Sequence, residues 1–81
     1  MVAAGALLLD VRSAEEFRAG HIDGAVNVPV DEVTRRLDEL GPRERAVVVY
    51  CRSGRRSADA AATMRGAGFT EVHDLGGMGR W

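Results

Sequence analysis

The chain has one cysteine, no lysine and almost no net charge, −1 from 11 basic and 12 acidic residues. Each shortage excludes something. One cysteine cannot close an internal disulfide, so no disulfide framework supports the fold. No resolving cysteine is present either, so an oxidised or sulfur-loaded thiol must discharge to an outside acceptor. Without lysine there is no Schiff-base or lysine-general-base chemistry. A near-neutral chain has no global field to gather nucleic acid or a membrane surface. No apolar run is long enough to span a bilayer. The apolar opening, residues 1–9, lacks a basic flank and is cut short by Asp10, which argues against a signal peptide. A cytoplasmic protein is the expectation. Two histidines far apart in sequence and no second cysteine argue against a metal site, and no cofactor is expected.

What is present suits one small globular unit. At 81 residues, 46% of them apolar, residues 1–81 read as a single domain. Leu7-Leu8-Leu9 with Asp10-Val11 reads as a short buried strand. Ser13-Ala14-Glu15-Glu16 is a capping box that starts a short helix, stopped at Gly20. Residues 25–28 form a second strand, closed by Pro29. Asp31 is expected to cap a helix with Val33, Leu37 and Leu40 on one face, ended by Gly41-Pro42. Residues 47–49 are a central strand, apolar on both faces. Residues 57–66 are the next helix, with Ser57 as its N-cap. Residues 70–74 make a last short strand before the loop Gly76-Gly77-Met78-Gly79. Strands alternating with helices at these spacings predict an α/β fold, a small mostly parallel sheet flanked by helices on both faces. In such sheets the site lies beyond the carboxyl ends of the strands. Cys51 and the segment Asp10-Val11-Arg12 both fall there.

Cys51 carries the chemistry. It ends the run Ala46-Val47-Val48-Val49-Tyr50 and opens the loop Cys51-Arg52-Ser53-Gly54-Arg55-Arg56, with a helix directly behind. That arrangement aims the helix's unpaired amides and positive dipole end at the sulfur. Three arginines add positive charge, favouring a thiolate and anionic substrates. The competing reading, a buried and inert cysteine, is disfavoured by the glycine and three arginines that follow it. A helix N-terminus supplies roughly 0.3–2 kcal/mol, and each pKa unit corresponds to about 1.4 kcal/mol. A depression of about one to two units therefore needs no histidine base. His21, at a turn after Gly20, reads first as a structural hydrogen-bonding residue and second as a helper of the site. Asp10 and Arg12 read as loop organisers with charged partners. Glu15, Glu16 and Asp59 favour their helix N-termini. His73 reads as structural or solvent-facing.

These residues resemble a known family. Leu8-Leu9-Asp10-Val11-Arg12, Glu15-Glu16-Phe17 and the run from Gly20 through His21-Ile22-Asp23-Gly24 to Pro29 are similar to the first signature of rhodanese-like domains. Tyr50 through Ser57 resembles their active-site loop. Residues 66–69, residues 75–78 and Trp81 resemble the closing motifs. The similarity runs in order along nearly the whole chain. It implies a sulfurtransferase in which Cys51 is the nucleophile that takes a sulfane sulfur from a small anionic donor such as thiosulfate. The sulfur then passes to cyanide, a thiol or a protein acceptor. It further implies that the amides of Arg52, Ser53, Gly54, Arg55, Arg56 and Ser57 cradle the sulfur. The three loop arginines attract the donor, and Asp10, Arg12 and His21 support that edge. A basic residue directly after the cysteine resembles the thiosulfate-using branch.

Two other functions compete. One is a sulfur-carrier or protein-interaction module with little turnover of small donors. The other is a cysteine-based phosphatase or arsenate reductase, whose loops resemble cysteine, five residues, then arginine. Here Ser57 stands at that position and the last loop arginine, Arg56, comes one residue earlier. The resemblance also leads one to expect a strand and helix before the first signature and a helix after the tryptophan. The chain is thus either a compact minimal member or lacks terminal structure. Missing elements would expose sheet edge and invite a homodimer.

Overall fold

The apolar runs become the strands of one parallel sheet: β1 (Leu7–Asp10), β2 (Val26–Asn27), β3 (Val47–Cys51) and β4 (Val72–Gly77), in the order β2-β1-β3-β4. The computed structural model describes residues 6–52 and 54–77. Ser53, the apolar opening at residues 1–5 and the closing residues Met78, Gly79 and Trp81 lie outside the described residues.

Side-chain alternation sorts the sheet into two faces. Leu7, Leu9 and Val11 share a core with Val47, Val49 and Cys51, closed by Val33, Leu40, Ala60, Ala61 and Met64. The last five come from a 3-10 helical segment, Val30–Leu40, and from helix α2, Arg55–Gly66, which pack on that face. Deleting most of a buried side chain there, as in Met64→Ala, costs about 2–5 kcal/mol. The opposite face carries Asp10, Arg12 and Tyr50, all buried. Helix α1 (Ala14–Ala19) and the loop after it lead across this side to β2. Among the described residues no helix is long and apolar enough to cross a membrane.

Several elements differ from the sequence-based expectation. β2 shrinks to two residues, and the Asn27 side-chain amide adds to the backbone bonds at this end by donating to the carbonyls of Asp10 (3.0 Å) and Arg12 (2.9 Å). The segment after Pro29 is 3-10 rather than a regular helix, and Asp31 does not cap it. Pro29 precedes its first residue, and Arg36 leaves helical geometry at φ −114°, ψ 18°. Val33 and Leu40 still reach the core, so burial rather than propensity sets the local geometry. α2 starts at Arg55, with Gly54 and not Ser57 at its N-cap. β4 runs on through Gly76 and Gly77, which sequence alone assigns to a loop. The pairing slips between Val49↔Asp74 and Tyr50↔Gly76, and the Gly76 N–H donates to Asp74 Oδ1 at 3.0 Å. This irregularity sets Gly77 opposite Cys51.

α1 follows its sequence. The Glu16 N–H donates to Ser13 Oγ (3.2 Å), and Glu16 Oε1 accepts from the Ser13 N–H (2.9 Å), a complete capping box.

Candidate active site

The carboxyl ends of β1 and β3 bring Asp10 and Cys51 to one edge of the sheet, where α1 and α2 also begin. Cys51 is the last residue of β3. The Gly54 N–H donates to its Sγ at 2.8 Å. Gly54 holds φ +95°, a left-handed turn that only glycine adopts without strain. A Cβ built there would meet Gly76 Cα and Gly77 N at 3.6 Å, an ordinary contact. Conformation, not space, therefore requires glycine at this position.

The thiol is fully buried, at 0% exposure, although the charged loop after it argues for an accessible site. The reason is placement. β3 is an interior strand, Gly77 pairs beside Cys51, and the Gly54 turn folds back onto the sulfur. The loop's charge lies further out, with Arg52 and Arg55 exposed. Burial here does not make the sulfur's surroundings purely apolar, because an oriented amide faces it.

Arg56 behaves differently from its neighbours. Its guanidinium makes a two-point pair with Glu16 of α1, at 2.6 Å to Oε1 and 3.1 Å to Oε2. Arg56, then the Ser13 amide, hold the Glu16 carboxyl down at about 2. Glu16 in turn holds Arg56 above its ordinary value against the effect of burial, with smaller contributions from the charges of Cys51 and Asp10. Ser57 is buried, and its hydroxyl donates to the Gly54 carbonyl at 3.0 Å. The Ala58 N–H reaches the same oxygen at 3.2 Å. Ser57 thus braces the turn that carries the sulfur's donor.

Asp10 and Arg12 pair with each other. Arg12 Nε lies 3.1 Å from both carboxylate oxygens, its NH2 lies 2.8 Å from Oδ2, and its backbone N–H donates to Oδ1 at 2.9 Å. The same guanidinium donates to the Gly20 carbonyl at 2.6 Å. The Tyr50 hydroxyl donates to Asp10 Oδ2 at 2.7 Å and accepts from the Ile22 N–H at 3.2 Å. Asp10 raises the Arg12 pKa. Desolvation is the main cause that pushes the Tyr50 phenol upward. Among the described residues no buried side-chain nitrogen or oxygen lacks a partner, which lets a buried ion pair persist.

His21 serves the end of α1. Its Nδ1 lies 2.9 Å from the Phe17 carbonyl, and its ring stacks on Phe17 at 3.7 Å. His73 is exposed, 3.4 Å from Glu71. Of the residues singled out in sequence, Cys51, Gly54, Arg56 and Ser57 come together, with the Asp10–Arg12 pair behind them. From sequence, Glu16 is assigned only to its helix N-terminus and the Tyr50 hydroxyl is given no partner, whereas the structure pairs them with Arg56 and Asp10. The one available signal was for Tyr50: a tyrosine within a buried strand needs a partner for its hydroxyl.

A thiol at the carboxyl edge of a parallel α/β sheet, under an amide turn that opens a helix, defines a cysteine-loop α/β domain. The comparisons with known proteins narrow that class. The model of the rhodanese-like domain matches residues 1–81, and the chain belongs to that family. It is 43% identical over 75 residues to a putative sulfur carrier protein, YrkF, of Bacillus subtilis, covering 91% of this chain and 40% of that one. It is 37% identical over 71 residues to the thiosulfate sulfurtransferase PspE of Escherichia coli, covering 86% and 68%. Among solved structures, an Escherichia coli rhodanese with anions superposes with a TM-score of 0.86 at 33% identity, covering 93% and 89%. The chain spans 60% and 40% of the length of two Bacillus subtilis relatives, YqhL and YrkF.

Proposed function

We infer that the domain is a sulfurtransferase that moves a sulfane sulfur from thiosulfate, or a similar anionic donor, through a Cys51 persulfide. The observation that carries this reading is the Gly54 N–H on Cys51 Sγ at 2.8 Å. An oriented amide there stabilises a thiolate, and it serves equally for the negative charge of a persulfide. In the first step the thiolate attacks the outer sulfur of thiosulfate. The new sulfur–sulfur bond forms as the bond to the sulfonate breaks, and sulfite leaves with the electron pair. In the second step cyanide or a thiolate attacks the outer persulfide sulfur. Thiocyanate or a new persulfide departs, and the Cys51 thiolate is restored. Neither step moves a proton at Cys51, so no histidine base is required. The setting proposed is the cytoplasm, where acceptor thiols stay reduced.

The relatives named as a thiosulfate sulfurtransferase and a putative sulfur carrier support the class of chemistry. The full burial of Cys51 favours a second reading, a carrier that accepts sulfur from a protein and turns over small donors slowly. Mass spectrometry after thiosulfate, before and after cyanide, tests the first reading. One added sulfur that cyanide removes is expected. A protein that keeps its unmodified mass, while its thiol still alkylates, contradicts it.

A further inference from the structure

The three loop arginines do not have equal surroundings. Arg52 and Arg55 are exposed, whereas Arg56 is held by Glu16 through two parallel hydrogen bonds. Glu16 is itself immobilised, since the same Oε1 accepts from the Ser13 N–H and the Glu16 N–H donates to Ser13 Oγ. A capping box, ordinarily a local device for starting a helix, here aims a carboxylate at a residue 40 positions away. A guanidinium matched to a fixed carboxylate loses little freedom on pairing, and a fork of this kind fixes direction as well as charge. Both side chains are about a third exposed, at 32% and 29%, so the pair is neither dissolved in solvent nor sealed away.

We propose that Glu16 is a positioning residue for the Cys51 loop, holding Arg56 as a fixed countercharge beside the sulfur and leaving Arg52 and Arg55 to meet the anionic donor. The proposal rests on the sulfur-transfer reading of the site and divides its cationic work in two. The charged side chains of the Cys51 loop are Arg52, Arg55 and Arg56. Glu16 of α1 joins them through Arg56, and Asp10 ends the neighbouring strand on the opposite face of the sheet. Asp10 is neutralised by Arg12. Among the described residues, β4 brings Gly76 and Gly77 beside Tyr50 and Cys51.

The sign of one shift separates positioning from plain electrostatics. If Glu16 acted only as an anion near the sulfur, removing its charge would ease thiolate formation and lower the thiol's alkylation inflection. If it holds Arg56 in place, Glu16→Gln raises the inflection instead. The experiment measures iodoacetamide alkylation against pH, and thiosulfate kinetics, for wild type, Glu16→Gln, Arg56→Gln and the double variant. Circular dichroism confirms that each is folded. Expected is an upward shift of about half to one unit in both single variants, with kcat reduced about 3- to 10-fold and KM changed less than about 2-fold. The double variant should match Arg56→Gln alone. Arg52→Ala and Arg55→Ala should chiefly raise KM. Arg56→Lys keeps the charge but loses the fork, and should resemble Arg56→Gln. A downward shift in Glu16→Gln, additive losses in the double variant, or a wild-type-like Arg56→Lys overturns the proposal. If wild type takes up no sulfur, the proposed function fails, while the alkylation arm still decides whether Glu16 positions Arg56.

Discussion

Tyr50 and Asp10 are paired twice: their Cα atoms are register partners across β3 and β1, and the Tyr50 hydroxyl donates to Asp10 Oδ2 at 2.7 Å. Arg12 holds the same carboxylate from the other side, and Gly20 and Ile22 are drawn in by the two partners. A single buried carboxylate thus locks the ends of the two central strands to the loop that follows α1. Cys51 is the next residue along β3, so this lock also fixes the strand end that presents the thiol.

Asp10→Asn leaves the buried Arg12 cation without its counter-ion and should cost about 3–5 kcal/mol. Tyr50→Phe removes one hydrogen bond to a charged group and strands the Ile22 N–H, costing about 1.5–3 kcal/mol. A domain of this size holds roughly 4–12 kcal/mol in total. Urea denaturation followed by circular dichroism should place Asp10→Asn near the limit of folding, and below Tyr50→Phe. Equal midpoints for the two variants would show that Arg12 finds other partners.

The acid limb of stability should carry the signature of Glu16. Its folded pKa is lowered to about 2 from 4.5, chiefly by Arg56. Between those values the unfolded chain binds the proton first, so stability rises with pH across that window. The contribution is fully present above about pH 5, falls as pH drops below 4.5, and is gone near pH 2. Urea midpoints of wild type and Glu16→Gln should therefore differ by a constant amount at neutral pH and converge towards pH 2. A gap that stays the same down to pH 2.5 would remove the pair from the account of acid stability.

Much of this site can be read from the chain, and the unread part has a common cause. Cys51 is legible because strand, loop and helix follow one another within a few residues, and Asp10 is legible because it ends a buried run. The Glu16–Arg56 and Tyr50–Asp10 contacts each join residues 40 positions apart, and no periodicity links them. Glu16 is legible only as a capping residue, its local task. Gly76 and Gly77 read as a break because glycine weakens strands, yet β4 continues through both, and their backbone runs close beside Gly54. The spacing of Val33, Leu37 and Leu40 fits a regular helix, and only the packed core shows the kink at Arg36.

Gly54→Ala isolates backbone conformation from bulk. A Cβ there has ordinary clearance from β4, so the penalty is that of a left-handed residue, roughly 1–2 kcal/mol. Relief of that strain turns the amide away from Sγ. Sulfur transfer should therefore fall more than stability does, and Gly54→Asn, which tolerates this region better, should recover part of the activity. Thiosulfate-to-cyanide rates set beside melting temperatures check this. Full activity in Gly54→Ala would mean that the amide contact at 2.8 Å does not act on the reaction.

Loop size should decide between sulfur and phosphorus chemistry. Five residues separate Cys51 from Ser57, and the final arginine lies inside that span. Ser57 stands where a phosphatase loop carries its arginine, but it is buried and its hydroxyl is engaged by the Gly54 carbonyl. Arg56, one residue earlier, is engaged by Glu16. An aryl phosphate needs its phosphorus at the thiolate and its oxygens among the loop donors, and neither side chain is placed to receive them. Thiosulfate asks for less, since only its outer sulfur must reach Cys51 while the sulfonate rests on the exposed arginines. The expected result is thiosulfate-to-cyanide transfer with no Cys51-dependent phosphatase activity. Inserting one glycine between Arg55 and Arg56 lengthens the ring and moves arginine to the phosphatase position, so that variant should lose sulfur transfer. If the unaltered domain hydrolyses aryl phosphate and Cys51→Ser abolishes the activity, the sulfurtransferase reading is wrong.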